Sequence, residues 1–251
     1  MGKYSFFKLV LPALYILLIT DLLKAQNLYL NQAGYLPDAP KYVLTDEPFP
    51  EEFFVVEELS SDTVFSASFF PHIAEDPATG LDLYSGNFSS FNQPGRYQIQ
   101  AGTSIVTHPF VISDTVYHQL YNKSLKAFYY QRCGYDLLGP VAEPYYRTRC
   151  HRSDGFYHTS TGLAGFHPAP GGWHDAGDFG KYVVNAGITT GTLLMAYEYF
   201  PTLFWHDDVF IPESENGIPD LLDEVRYELE WLLKMQDDAG GVFFKLTPEV
   251  F

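Results

Sequence analysis

Apolar and polar positions follow two different periods along this chain. From Asn27 to about Ser113, short runs rich in β-branched and aromatic residues alternate with turn residues, as at 41–45, 53–59, 63–69, 95–100 and 108–112. Roughly seven such runs in this length is the spacing of a β-sandwich, so the pattern predicts an immunoglobulin-like all-β domain over 26–113. Beyond Ser113 the period lengthens. Ser113 or Asp114 is placed to cap a helix carrying Val116, Leu120, Leu125, Phe128, Tyr129 and Cys133, with Gly134 as its stop. A second helix is predicted over 181–200, apolar or small on most sides and therefore packed on several faces, and Pro201 ends it. A third, over 219–236, has Pro219 in its first turn and Leu221, Leu222, Val225, Leu229, Leu232 and Leu233 on one stripe. Asp223, Glu224, Arg226, Glu230 and Lys234 fall elsewhere on it.

The first residues read differently. Lys3 and Lys8 precede an apolar run over 9–19 that is too short to span a bilayer comfortably. This is the pattern of a signal peptide over 1–25, cut after Ala25, and it predicts a secreted or periplasmic protein with no membrane anchor after cleavage. Lys plus Arg number 15 against 31 for Asp plus Glu, a formal charge of -16. That balance excludes a surface that neutralises a phosphate backbone, so nucleic acid is not an expected partner. Aromatic residues make 17% of the chain, and their flat, half-apolar faces suit sugar rings.

The densest chemistry lies at Gly171-Gly172-Trp173-His174-Asp175-Ala176-Gly177-Asp178, followed by Lys181-Tyr182. Two carboxylates three residues apart, flanked by glycines that let the backbone turn, can aim both oxygens into one cleft and deprotonate a water. The same residues also suit a helix cap at Asp178 and an Asx-turn at Asp175. Trp173, His174 and Tyr182 beside them favour a site.

Several stretches resemble, in order, glycoside hydrolase family 9, the inverting cellulases and related β-glucanases, in the branch with an immunoglobulin-like module ahead of the catalytic domain. They are 31–37 (Asn-Gln-Ala-Gly-Tyr-Leu-Pro), 128–134, Cys150-His151, the 171–178 block, 211–214, 222–225, 231–236 and 240–242. The resemblance implies that 114–251 is the first part of an all-α six-fold α/α barrel. It also implies hydrolysis of internal β-1,4-glucosidic bonds in a β-glucan, with Asp178 as the general base, Asp175 orienting the water, and Trp173 and Tyr182 at the substrate. The family's general acid is a glutamate farther toward the C-terminus than Phe251. The residues after Ser113 suffice for roughly a third to a half of a twelve-helix barrel. The expectation is an incomplete catalytic domain whose missing part is its partner, and which alone does not hydrolyse glucan at the family's rate. The competing expectation is a catalytically inactive glycan-binding or structural remnant.

Two groups of residues are candidate metal ligands. Cys133, Cys150, His151 and His174 make a closed set for structural zinc. Cysteine arithmetic in an exported protein points instead to a Cys133–Cys150 disulfide, whereas the resemblance implies zinc. In the second group Glu213, Asn216, the Ile218 carbonyl, Asp220 and Asp223 gather oxygens around a glycine turn, as calcium requires. A solvated acidic loop capping the third helix explains them equally, and the resemblance implies calcium nearby. His72, His108, His118, His158, His167 and His206 have no partner identifiable from spacing and are expected to be surface or locally satisfied histidines.

Overall fold

The computed structural model describes residues 27–46, 52–102 and 105–248, so the expected signal peptide over 1–25 lies outside the described residues. The chain divides into two compact units between Tyr117 and His118. In the first, the strands are β1 (Leu28–Tyr29), β2 (Tyr42–Thr45), β3 (Glu52–Glu57), β4 (Thr63–Ile73), β5 (Leu83–Asn87), β6 (Gly95–Ala101), β7 (Ile105–Val106) and β8 (Phe110–Ile112). Strand β4 is shared: its first half pairs antiparallel with β3 and its second half with β5. One layer therefore holds β1, β2 and β5, and the other holds β3 and β6 with β7 and β8 on β6.

Period-two alternation fixes which faces meet. Phe53 and Val55 of β3, and Tyr97, Ile99 and Ala101 of β6, are buried while their neighbours are not, apart from Val56 beside the β-bulge. A side chain at Gly86 of β5 would put its Cβ 2.3 Å from the Phe53 ring and 2.9 Å from Val43, so the layers close against each other there. The Phe53 ring lies 5.0 Å from that of Phe69 and 6.4 Å from that of Phe88. Cutting such a buried phenylalanine to alanine costs about 3–5 kcal/mol. The 31–37 motif locks this unit: Tyr35 donates its N–H to the Val111 carbonyl and its hydroxyl to the Tyr42 carbonyl, each at 2.9 Å.

The second unit carries α1 (His118–Gln131), α2 (Val183–Tyr199) and α3 (Asp220–Lys234), with β9 (Lys181–Tyr182) antiparallel to β10 (Lys245–Leu246). Its main core joins Leu125 and Tyr129 of α1 to Leu221 and Val225 of α3 and to Val209 and Ile211 of the loop before it. A smaller cluster packs Ala186 of α2 on Trp231 and Met235.

Three expectations need correction. Helix α1 begins at His118, not at 113–114, because Ser113 closes a turn of its own. Its hydroxyl accepts from Thr115 N–H at 3.2 Å and its carbonyl from Val116 N–H at 3.3 Å. In α3, Pro219 is the N-cap residue. Asp220, Asp223, Glu224 and Glu228 of this helix are buried, whereas Leu233 is 72% exposed. The stripe of leucines is therefore not the whole buried face; carboxylates share it, for a reason that lies in the site. Helix α2 is not enclosed among the described residues: only Ala186 and Thr190 are buried, and Val184 and Ile188 are 65% and 67% exposed. Open apolar faces of this kind drive association. The purified chain is expected to elute from a sizing column as oligomers, and Ile188→Lys to move it toward the monomer. A monomer with a sharp, reversible thermal transition would contradict this.

Candidate active site and metal centre

The site is built on the end of α1. Arg132 is fully buried, and its guanidinium reaches two carboxylates. Glu213 accepts from Nη1 at 2.9 Å and Nη2 at 3.0 Å, and Glu224 of α3 lies 2.8 Å from Nη2. The Tyr129, Tyr135 and Tyr227 rings surround it, the last with its centroid 4.5 Å away. Burial pushes the Glu224 carboxyl up to about 7, against the pull of Arg132.

From there α3 holds the loop of the glycine–aspartate block. Trp173 donates its indole N–H to Glu224 at 3.2 Å and its backbone N–H to Glu228 at 2.6 Å. Two further backbone bonds, Cys133 N–H to Gly172 at 2.7 Å and His174 N–H to Gln131 at 2.8 Å, pin the loop to the end of α1. Gly172, at φ +76°, admits no side chain, since a Cβ would lie 2.6 Å from the Trp231 ring. Trp173, expected to meet substrate, is only 7% exposed, and its ring packs 4.7 Å from that of Phe128. It lines the cleft together with Asp175 and Tyr182.

Past His174 the loop folds back on itself. Asp175 N–H donates to the Gly180 carbonyl at 2.8 Å, and Gly180 N–H to Asp178 Oδ1 at 3.2 Å. Phe179 between them takes φ +55°, in the left-handed region that costs a non-glycine residue energy. Tyr182 donates its hydroxyl to Asp178 Oδ2 at 2.6 Å, and Asn185 of α2 donates to Asp175 Oδ1 at 2.8 Å. The Tyr182 bond, more than the N–H groups of Gly180, Asp178 and Ala176, holds the Asp178 carboxyl below the usual carboxylate range. Helix α2 begins at Val183 with no side-chain cap, so Asp178 is not its cap; Asp178, not Asp175, makes the Asx-turn. Asp175 is exposed and lines a cavity of about 160 Å³ with Gln131, Tyr182, Asn185 and Glu228. Tyr182 thus stands both in the cleft and on the aspartate.

The four sequence-predicted zinc ligands converge. One ligand atom from each of Cys133, Cys150, His151 and His174 lies within 4.8 Å of all the others, and Cys150 Sγ is 3.6 Å from His174 Nε2. Both cysteines are free thiols, which removes the disulfide alternative from this structure. His151 Nδ1 is buried without a hydrogen-bond partner. Burial, then Arg147, His151 and Lys181, push the His174 imidazole down to about 3, leaving it in the neutral form a metal binds. Burial likewise pushes the Cys133 thiol up to about 11. A divalent cation is the partner that a buried thiolate lacks, so the donor set fits zinc. Arg147 Nη1 lies 3.2 Å from His174 Nδ1. An imidazole ligating through Nε2 keeps its proton on Nδ1, so that guanidinium must turn aside when metal binds. The Phe179 ring lies 5.4 Å from that of His151 and 5.0 Å from that of His174, which joins the metal set to the aspartate loop.

The calcium expectation fares otherwise. Glu213 is paired with Arg132, and Asp220 accepts from Val209 N–H at 2.7 Å and from Ser214. Asn216 donates to Asp223 at 3.0 Å and accepts from Ile218 N–H at 2.7 Å. Among the described residues, no convergent set of His, Cys, Asp and Glu donors includes Glu213, Asp220 or Asp223. These groups brace the start of α3 instead. Sequence reasoning missed Arg132, Glu224, Glu228, Phe179 and Asn185. The signal for the glutamates was the four-residue spacing of Asp220, Glu224 and Glu228 on the same face as Leu221 and Val225.

Residues 117–248 match the family model for glycosyl hydrolase family 9, and residues 24–105 the model for the cellulase N-terminal ig-like domain. The xyloglucan-specific endo-beta-1,4-glucanase BoGH9A of Bacteroides ovatus is 33% identical over 239 residues, covering 92% of this chain and 40% of that protein. Endoglucanase D of Acetivibrio thermocellus is 33% identical over 225 residues, covering 88% of this chain and 35% of its own length. Among solved structures, a family 9 protein of Bacteroides ovatus superposes with a TM-score of 0.79 at 33% identity, over 88% of this chain and 41% of that one. A zinc-binding triple mutant of the family 9 endoglucanase J30 gives 0.74 at 30% identity, over 84% and 40%. The chain therefore spans about 40% of the length of such relatives. With an immunoglobulin-like domain ahead of its matched catalytic region, this chain belongs to glycosyl hydrolase family 9.

Proposed function

We propose that this exported chain supplies the water-activating side of an inverting site for internal β-1,4-glucosidic bonds in cellulose or related β-glucans. Helices α1–α3 would be part of an α/α barrel. The observation that carries the reading is the aspartate loop, where Tyr182 keeps Asp178 ionised and Asn185 orients Asp175 at the cavity wall. Asp178 is the base, Asp175 positions the water, and Tyr182 positions the base. Inversion places the proton donor across the scissile bond, about 6.5–9.5 Å from the base. The carboxyls lining the cavity are Asp175 and Glu228. Glu228 stays protonated up to about 8 through burial, but it is 1% exposed and turned to the Trp173 backbone. It supports the loop, and the donor is assigned to none of the described residues.

This division can be tested with two substrates. An aryl β-cellobioside whose leaving group needs no proton should be hydrolysed, and Asp178→Asn should slow that reaction by about a hundredfold or more. Carboxymethylcellulose and mixed-linkage glucan should release no Asp178-dependent reducing sugar. Loss of glucan hydrolysis in Asp178→Asn would place a donor within the chain. An activated substrate indifferent to Asp178→Asn would overturn the base assignment and favour the glycan-binding remnant.

The Tyr182 bond predicts a pH effect of definite sign. Its removal takes away the largest influence lowering the Asp178 carboxyl, so Tyr182→Phe should raise that pKa toward the ordinary carboxylate value. Carbon NMR titration of the Asp178 carboxyl reads the shift directly. An unmoved titration would contradict the positioning role.

Cys133, Cys150, His151 and His174 would hold a structural zinc, which supplies four bonds that tie the end of α1 to the aspartate loop. Protein passed through metal-free buffer should retain one zinc per chain. Cys133→Ser should lose it and melt at lower temperature. Retention of the metal by this variant would count against the assignment.

A further inference from the structure

A second convergence of donors lies at the first turn of α1 and in the loop after α2. The His118 and His206 rings meet edge to face with centroids 4.6 Å apart. Asp208 reaches both, with Oδ2 3.3 Å from His118 Nε2 and Oδ1 4.0 Å from His206 Nδ1. One ligand atom from each of the three lies within 4.8 Å of the other two.

With the Asn122 amide oriented as it is, hydrogen bonding does not satisfy this arrangement. Asn122 Nδ2 also approaches His118 Nε2, at 3.3 Å. An amide NH2 can only donate and a carboxylate can only accept, so one ring nitrogen satisfies one of them and not both. Asn122 Oδ1 meanwhile is buried without a hydrogen-bond partner. Protonating both imidazoles would set two positive charges in contact against one carboxylate. A divalent cation resolves each conflict: it takes the imidazole lone pairs and the Asp208 charge together. Turning the Asn122 amide over would then bring its partnerless oxygen, in place of the nitrogen, toward the cation.

We propose that His118, His206 and Asp208 form a second divalent-cation site, separate from the cysteine–histidine set. Two imidazoles and one carboxylate select a borderline transition-metal ion such as Zn²⁺ over calcium or magnesium, which favour all-oxygen sets. Water completes the coordination, since Asp208 is 57% exposed and His206 35%. The His206 carbonyl accepts from Asp220 N–H at 3.0 Å. A cation held here therefore ties the first residue of α1 to the first residue of α3, and binding should stabilise the fold.

The test is equilibrium dialysis of the untagged full chain against Zn²⁺, with metal counted by mass spectrometry. Wild type should take up two zinc ions per chain, the second more weakly. Replacing a ligand in His206→Ala or Asp208→Asn should weaken that second equivalent by about tenfold or more and leave the first. Cobalt added after the first equivalent should show no thiolate charge-transfer band, which separates the site from Cys133 and Cys150. Asp208 is exposed, so Asp208→Asn tests the site even where His206→Ala fails to fold. A limit of one zinc per chain, or a second equivalent unchanged in Asp208→Asn, would overturn the proposal.

Discussion

The second unit depends on one buried cation. Arg132 sits without exposure between Glu213 and Glu224 and inside three tyrosine rings, so the end of α1, the acidic loop and α3 have one mutual arrangement. Taking such charges out of water is costly, and removing one partner of a buried pair typically costs about 3–5 kcal/mol. What the pairing achieves is placement. Glu224 Oε2 also accepts from the Trp173 indole, and the backbone either side of Trp173 is bonded to the end of α1. The aspartate loop therefore begins from a fixed point on two helices, which is what a water-activating pair needs, because a misplacement of 1 Å can cost a hundredfold in rate.

The second anchor of that loop is the cysteine–histidine set. Phe179 is held at positive φ, a conformation that persists only when its surroundings impose it. Its ring rests on His151 and His174, and its neighbour is Asp178. Metal ligation that fixes those imidazoles would therefore fix the ring, and with it the backbone next to Asp178. Distortion in the loop is thus balanced by contacts on the metal side, while Tyr182 fixes the carboxylate from the helix side.

Legibility in the sequence followed the scale of the interaction. Strand alternation in the first unit was readable because side chains of period two either face the core or do not, and Phe53 and Ile99 obey that rule. The cysteine–histidine set, which the structure brings together, was legible through the family resemblance and not through spacing, since cysteine arithmetic alone favoured a disulfide. The buried face of α3 was misread, since Glu224 counts as polar until Arg132, some ninety residues earlier, is brought against it. The anchoring of Trp173 was not legible for the same reason: an aromatic beside two aspartates suits a sugar, and nothing local shows that its N–H groups are bonded to α3. The oxygens near Glu213 suited calcium and a capping loop equally, because composition does not reveal that a guanidinium holds one of them.

Four carboxyl groups near the cleft thus carry four different duties, set by environment and not by residue type. Burial raises both glutamates, Glu224 to about 7 against the pull of Arg132 and Glu228 to about 8 beside a backbone N–H. Asp178 keeps partial access to solvent and accepts a phenol hydroxyl, which favours its charged form, and Asp175 faces the cavity with one oxygen held by an amide. Burial separates the first pair from any reacting atom, and exposure with fixed hydrogen bonds fits the second pair for water. That separation follows from a single geometric fact: α3 turns its glutamates inward onto the end of α1, and the loop that crosses between them points its aspartates out.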